Sequence, residues 1–246
     1  PIEGVPTLEG VPTLEGSTTL QPLQPLYLTT SMTSPLSTES STGFYDQVLI
    51  EAFRRAGQSV EIDHLTTERS ITNANLGVTD GEFPRISGLD VLYSNLIIVP
   101  EKIDDFQFVA FTWRDDIQLK DWADCKDYNV AVVRGWKILE ANLTDVKTLV
   151  KVKDQEMLFS LLKKHRVDIV VYSLFEGEDM IENLGMESIK VIMPPLAKRE
   201  MFLYLNKKHT SLVSELTKQL RNMKHDGTYD SIRQKILGPY LKDVKK

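Results

Sequence analysis

The chain has 246 residues, 41% of them hydrophobic and 26% charged, with a formal net charge of -6. That composition supplies a packed core for one large domain or two small ones. It holds no basic block, which argues against nucleic acid and membrane surfaces as partners, and no apolar run near the ~20 residues that cross a bilayer.

Residues 1–25 differ from the rest. Val5-Pro6-Thr7-Leu8-Glu9-Gly10 recurs as Val11-Pro12-Thr13-Leu14-Glu15-Gly16, with no core-forming periodicity. This stretch reads as a flexible leader or an expression remnant, without the basic start and long apolar segment of an intact secretory signal. A short strand at 26–28 and a hydroxyl-rich loop at 29–42 follow. Phe44, Val48, Leu49, Ala52 and Phe53 then fall on one face of a helix over 44–56, which Gly57 stops. A strand at 60–62, a helix at 68–76 ended by Gly77, and a strand end at 79–83 complete a βαβαβ order. That order implies a parallel sheet with right-handed crossovers. Pro84-Arg85-Ile86-Ser87 reads as a loop.

Strands are predicted at 96–99 and 106–113, with a chain crossing near 101–105. The polar stretch 116–127 carries a short helix. A buried strand at 129–133, a strand at 149–152, a helix at 156–165, a strand at 167–172 and a helix at 175–184 make a second α/β unit. A strand at 189–193 reaches Pro194-Pro195, which should interrupt pairing and mark a second crossing near 194–198. A strand at 201–205 and helices at 211–223 and 229–237 close the chain. A unit inserted through two connections is built for hinge closure on a ligand.

Tyr128 to Glu140 is the most telling stretch. Val130, Ala131, Val132 and Val133 suit a strand buried on both faces, and Arg134-Gly135-Trp136-Lys137 turns it into a helix. Ligands settle outside the carboxyl ends of such strands, and a helix N-terminus favours an anion. Two cations and an indole stand at this turn, so an anionic small molecule is the expected guest; an ordinary solvated βα loop is the alternative.

The ending carries a motif. Asn206-Lys207-Lys208, Leu212, Leu216 and then Met223-Lys224-His225-Asp226-Gly227-Thr228-Tyr229-Asp230 with Ile232 resemble the closing helices of the family 3 extracellular solute-binding proteins. Gly43-Phe44-Tyr45-Asp46 resembles that family's opening helix motif, and Asp168-Ile169-Val170-Val171 its Asp-Ala-Val-Val strand. The resemblance covers about residues 26–237. It implies an α/β, two-lobed periplasmic binding protein type 2 fold, with two parallel or mixed sheets joined by two crossing strands. Residues 26–103 and 196–246 would form lobe I, and 104–195 an inserted lobe II.

It also implies a small-molecule ligand held between the lobes, an ABC permease as partner, a periplasmic location and a monomer. Two departures matter. The family's carboxylate-binding arginine falls near Leu92 here, and Arg85 lies a few residues earlier. The family's ammonium-binding aspartate is replaced by Tyr172 and Ser173, and Glu82 offers the missing negative charge. Arginine suits a carboxylate because its planar fork donates two parallel hydrogen bonds.

The expected ligand-binding set is therefore Thr30, Ser31, Glu82 and Arg85 from lobe I, and Arg134, Gly135, Trp136, Lys137 and Tyr172 from lobe II. Trp136 and Tyr172 are the aromatic plates, while Trp113 and Trp122 read as structural. Thr29 shares the hydroxyl-rich strand end. No catalytic residue is expected: there is no Gly-x-Ser-x-Gly elbow, phosphate loop or zinc signature. His64, His165, His209 and His225 lack metal-ligand spacing, and no cofactor is implied. Cys125 reads as a buried apolar filler. The leading expectation is a solute-binding protein for an importer. The alternatives are a sensing input domain and a dehydratase or lyase on the same fold.

Overall fold

The computed structural model describes residues 24–241. The repeat read as a leader lies outside the described residues. Nine strands and seven α-helices are described, in the order β1 (Leu26–Thr30), α1 (Phe44–Arg55), β2 (Val60–His64), α2 (Thr67–Leu76), β3 (Gly81–Arg85), β4 (Leu96–Ile98), β5 (Asp104–Thr112), β6 (Asn129–Val133), α3 (Lys137–Asn142), β7 (Thr148–Val152), α4 (Gln155–Lys163), β8 (Ile169–Ser173), α5 (Leu174–Asn183), β9 (Lys190–Asn206), α6 (Thr210–His225) and α7 (Thr228–Leu237). The polar stretch after β5 forms only a 3-10 helix at Trp122–Asp127.

Two sheets share β9. In the first, β1 pairs in parallel with β2 and β3, and the last residues of β9 run antiparallel between β3 and β4. In the second, β6 pairs in parallel with β7 and β8, β8 runs antiparallel to β5, and β5 antiparallel to β9. The chain enters the second sheet after β4 and returns inside β9, which pairs with β5 up to Met201 and with β3 from Phe202. Side chains from both sheets and most of the helices join one hydrophobic core, while Ile71 and Ala74 of α2 pack with Leu96 and Tyr204 in a second, smaller cluster.

Two expectations change. Pro194-Pro195 interrupts pairing as expected, but β9 continues through it and passes to the first sheet only after Met201. Across it the ladder passes from Phe108↔Ala197 to Ala110↔Ile192, so β9 bulges away from β5 there. Proline lacks a donor and is tolerated where no ladder bond is needed. Pro84 and Arg85 belong to β3 rather than to a loop, because the register against β9 shifts between Glu82 and Arg85.

Helix α1 forms as its apolar spacing requires, with Phe44, Tyr45, Val48, Leu49, Ala52 and Phe53 fully buried. Its first turn is held by Asp46, which accepts from Gly43 N and Thr38 N, both at 2.9 Å. The Asp226-Gly227-Thr228-Tyr229 junction is a structural clamp. Gly227 takes a positive φ of 81°, and Arg55 of α1 reaches Asp226 (2.6 Å) and Thr228 (2.8 Å). The Tyr229 hydroxyl donates to Ile103 O at 2.7 Å, fastening the C-terminal helices to the crossing segment. Cys125 is buried, and burial pushes its thiol up to about 12. Trp113 stacks on His165 with ring centres 4.2 Å apart and donates to Val167 O.

Gly177 tests the packing of α5 on β5. A Cβ at this position would overlap the ring of Phe111, itself fully buried and edge-on to Phe159 at 5.5 Å. Alanine in a helix gains ~1 kcal/mol of propensity over glycine, but overpacking a rigid core costs about 1–3 kcal/mol. We expect Gly177→Ala to lower the urea midpoint with an unchanged m-value; a raised midpoint would mean that the Phe111 ring has room to move.

Candidate functional site

The carboxyl ends of β1 and β3 meet the first turn of α2, and polar side chains gather there. Glu82 is fully buried. Its Oε2 accepts from Arg85 Nη2 at 2.6 Å and from Ser70 Oγ at 2.9 Å. Thr29 Oγ1 lies 2.8 Å from Ser70 Oγ, and Arg85 Nη2 also donates to Thr67 O at 2.8 Å. Thr67 Oγ1 donates to Ser31 Oγ at 3.0 Å. Ser31, Glu82 and Arg85 are thus brought into one network. Thr30 is adjacent and fully buried, but its hydroxyl accepts from Met32 N.

Residues three apart on a regular strand point to opposite faces. The bulge in β3 between Glu82 and Arg85 breaks that alternation, and the carboxylate meets the guanidinium. Burial raises the Glu82 carboxyl above its ordinary range, against the opposing pull of Arg85 and Ser70. Two atoms of the pair, Glu82 Oε1 and Arg85 Nε, are buried without a protein partner. Each such group costs about 1–3 kcal/mol when left unmet.

The second sheet presents a different surface. Trp136 stacks on Tyr172 with centroids 4.8 Å apart and planes 17° apart, and meets Phe106 and Phe108 edge-on. Tyr172 is only 4% exposed, its ring is met edge-on by Phe159, and its hydroxyl donates to Gln155 Oε1 at 2.6 Å. Trp136 is therefore the plate that retains open surface, and Tyr172 backs it. Lys137 is solvated, 3.9 Å from Glu140. Arg134 is exposed, and its side chain has no hydrogen bond or ion pair among the described residues.

The turn at Gly135 is less available to an anion than its sequence implies. Gly135 has a φ of +94°, and its N–H donates to Glu140 Oε1 at 3.1 Å. The carboxylate of α3 itself thus sits at this turn, drawn below its ordinary range first by that N–H bond. Among the described residues no hydrogen bond or ion pair joins Arg85 and Glu82 to the group from Arg134 to Lys137.

Other residues do join the two sheets. Thr33, in the loop after β1, bonds to Glu176 of α5 through both its N–H (2.8 Å) and its hydroxyl (2.7 Å). Thr33 Oγ1 is also 3.2 Å from Gln155 Oε1. Glu176 is buried at 2% exposure, which pushes its carboxyl up despite bonds from Ser173 and Thr33. Thr33, Gln155 and Glu176 escaped the sequence reading. A signal existed: Ser173-Leu174-Phe175-Glu176 has the Ser-x-x-Glu spacing of a capping box. Elsewhere, an open hollow of about 770 Å³ runs along α6 past Ile97, Pro100, Val213 and Lys218, where Arg221 on its wall is already paired with Glu101. Among the described residues no acid, histidine or cysteine cluster is placed to hold a metal, and no helix is long and apolar enough to cross a membrane.

No protein-family model matches the chain. An uncharacterised protein of Shewanella oneidensis is 25% identical over 166 residues, 64% of this chain and 62% of that protein, so less than two thirds of the relative's length is spanned. Solved structures are similar over most of the chain. The GluR0 ligand-binding core in complex with L-glutamate superposes with a TM-score of 0.76 at 13% identity, covering 87% of this chain and 98% of its own. A histidine kinase sensor domain with similarity to periplasmic binding proteins gives 0.73 at 16% identity, covering 87% and 96%. The substrate-binding protein of an amino acid ABC transporter gives 0.68 at 16% identity, covering 87% and 99%. The chain has the two-lobed periplasmic binding protein type 2 fold.

Glu82 makes stability depend on pH with a definite sign. Its folded-state carboxyl titrates above the unfolded value, so protonation favours the folded state. Its contribution is fully present below the ordinary carboxylate range and is lost as pH rises through the raised value. The unfolding free energy of the wild type relative to Glu82→Gln should fall across that window and be flat below it. Urea titrations at stepped pH measure this difference, and a rise with pH would reverse the sign assigned to burial.

Proposed function

We propose that this chain is a solute-binding protein that captures a small polar or anionic, amino-acid-like molecule between its lobes and releases it to an ABC importer. The observation that carries this reading is the buried Glu82–Arg85 pair at the strand ends, with one unmet acceptor and one unmet donor. A zwitterion offers the complement: a carboxylate for the remaining guanidinium N–H groups and an ammonium for Glu82 Oε1. Trp136 supplies an aromatic face, and Arg134 a cation uncommitted among the described residues. Thr30, Ser31, Gly135, Lys137 and Tyr172 complete the proposed set.

The lobe division is part of the proposal: residues 26–103 with 196–246, against 104–195. Hinge movement would then concentrate where β5 pairs with β9. The reading places the protein in the periplasm as a monomer that binds without turnover. Its support is the likeness to an amino acid ABC transporter's binding protein and to a core complexed with L-glutamate. The comparably good superposition of a kinase sensor domain favours a second reading, the ligand-sensing input of a signalling protein. Permease and ATPase genes beside this one would favour transport; a kinase or other output domain joined to it would favour sensing.

A thermal-shift screen over amino acids, short peptides and organic acids should find compounds that raise the melting point, since a ligand of the native state alone stabilises it. For the best hit, calorimetry should show Arg85→Ala weakening binding by about 2 kcal/mol or more, roughly thirtyfold, and Arg134→Ala by less. Unchanged affinity in both variants would refute the proposed grip.

A further inference from the structure

Helix α5 of the second lobe is bonded to the first lobe from two sides. Glu176 and Asp179 stand three residues apart on it, hence on one face. Asp179 Oδ1 accepts from the Tyr240 hydroxyl at 2.7 Å, and Arg233 of α7 stands 5.7 Å from the centre of the Phe175 ring. From the other side, the loop after β1 delivers Thr33 to Glu176. Glu176 has no basic partner among the described residues. Its oxygens are met by neutral donors: Thr33 N and Oγ1 on Oε1, and Ser173 Oγ on Oε2 at 2.6 Å. Both bonds to Oε1 come from across the lobe boundary, so Oε1 is satisfied only while the lobes are together.

We propose that Thr33 and Glu176 form a latch that holds the lobes shut, with Glu176 acting as a positioning residue. A buried carboxylate that loses its donors is penalised unless water reaches it, which makes the contact close to all-or-none. The latch sits beside Gln155 and Tyr172, which share its hydrogen bonds and place it next to the Trp136 plate. It therefore sets how long a guest in the cleft is retained. That consequence rests on the binding function proposed above; the latch itself does not.

Amide hydrogen exchange at Thr33, on the protein without added ligand, reads the latch directly. In the wild type this amide should exchange at least about tenfold more slowly than an unprotected loop amide. Glu176→Leu should remove that protection and enlarge the radius of gyration. Glu176→Gln, which keeps an acceptor at Oε1, should retain both. Thr33→Val should expand the molecule and Thr33→Ser should not. An unprotected Thr33 amide in the wild type overturns the proposal, as does unchanged protection and scattering in Glu176→Leu. If Glu176→Leu does not fold, the wild-type exchange and the Thr33→Val scattering decide. With L-glutamate as the probe, dissociation should be about tenfold faster in Thr33→Val than in Thr33→Ser. If nothing in the thermal-shift screen binds, the solute-binding reading fails while the exchange data still judge the latch.

Discussion

The antiparallel ladder between β5 and β9 is the constraint on which the molecule depends. β9 is a member of both sheets, and β5 is the strand that receives it in the second. The two sheets are therefore joined by main-chain hydrogen bonds along one strand and not by side-chain packing alone. The C-terminal helices reinforce this, since Tyr229 and Lys224 donate to the carbonyls of Ile103 and Lys102. The carboxyl ends of the parallel strands, where loops carry polar side chains, are held in consequence.

Electrostatics divide the proposed site into two unlike halves. In the first, a carboxylate and a guanidinium are taken out of water together. Their mutual attraction offsets a desolvation that either alone would suffer in full. In the second, aromatic surface predominates, and the charged groups either face solvent or, like Glu140, are met locally. A guest spanning the two would place its ionic groups on the first half and its apolar body on the second. Ligand sites are commonly built so, with few polar anchors against a mostly apolar lining.

Much of the architecture was legible in the sequence. The valine run of β6, the one-sided apolar spacing of α1 and the glycine after α6 each follow from local rules, and the structure places these elements within a residue or two. The Pro-Pro pair foretold a break in pairing but not that the strand continues, because a proline's missing donor interrupts a ladder without ending the strand, and β9 passes the pair with a bulge. Arg85 and Glu82 were legible as residue types at a strand end. Their direct contact was not, since it depends on a broken alternation that appears only once β3 is paired with β9. Glu176 was missed for a different reason. A glutamate in the first turn of a helix is ordinarily placed there for the helix dipole, whereas this one is buried and met by Thr33, 143 residues earlier in the chain.

One buried atom has a chemical consequence. The sole sulfhydryl lies inside the second lobe with its thiolate strongly disfavoured. Oxidants attack the thiolate and need access to it. Burial and the raised thiol therefore slow sulfenic acid formation and cross-linking at this position, and the exposed thioethers of Met157 and Met193 are left as the more accessible targets of an oxidant.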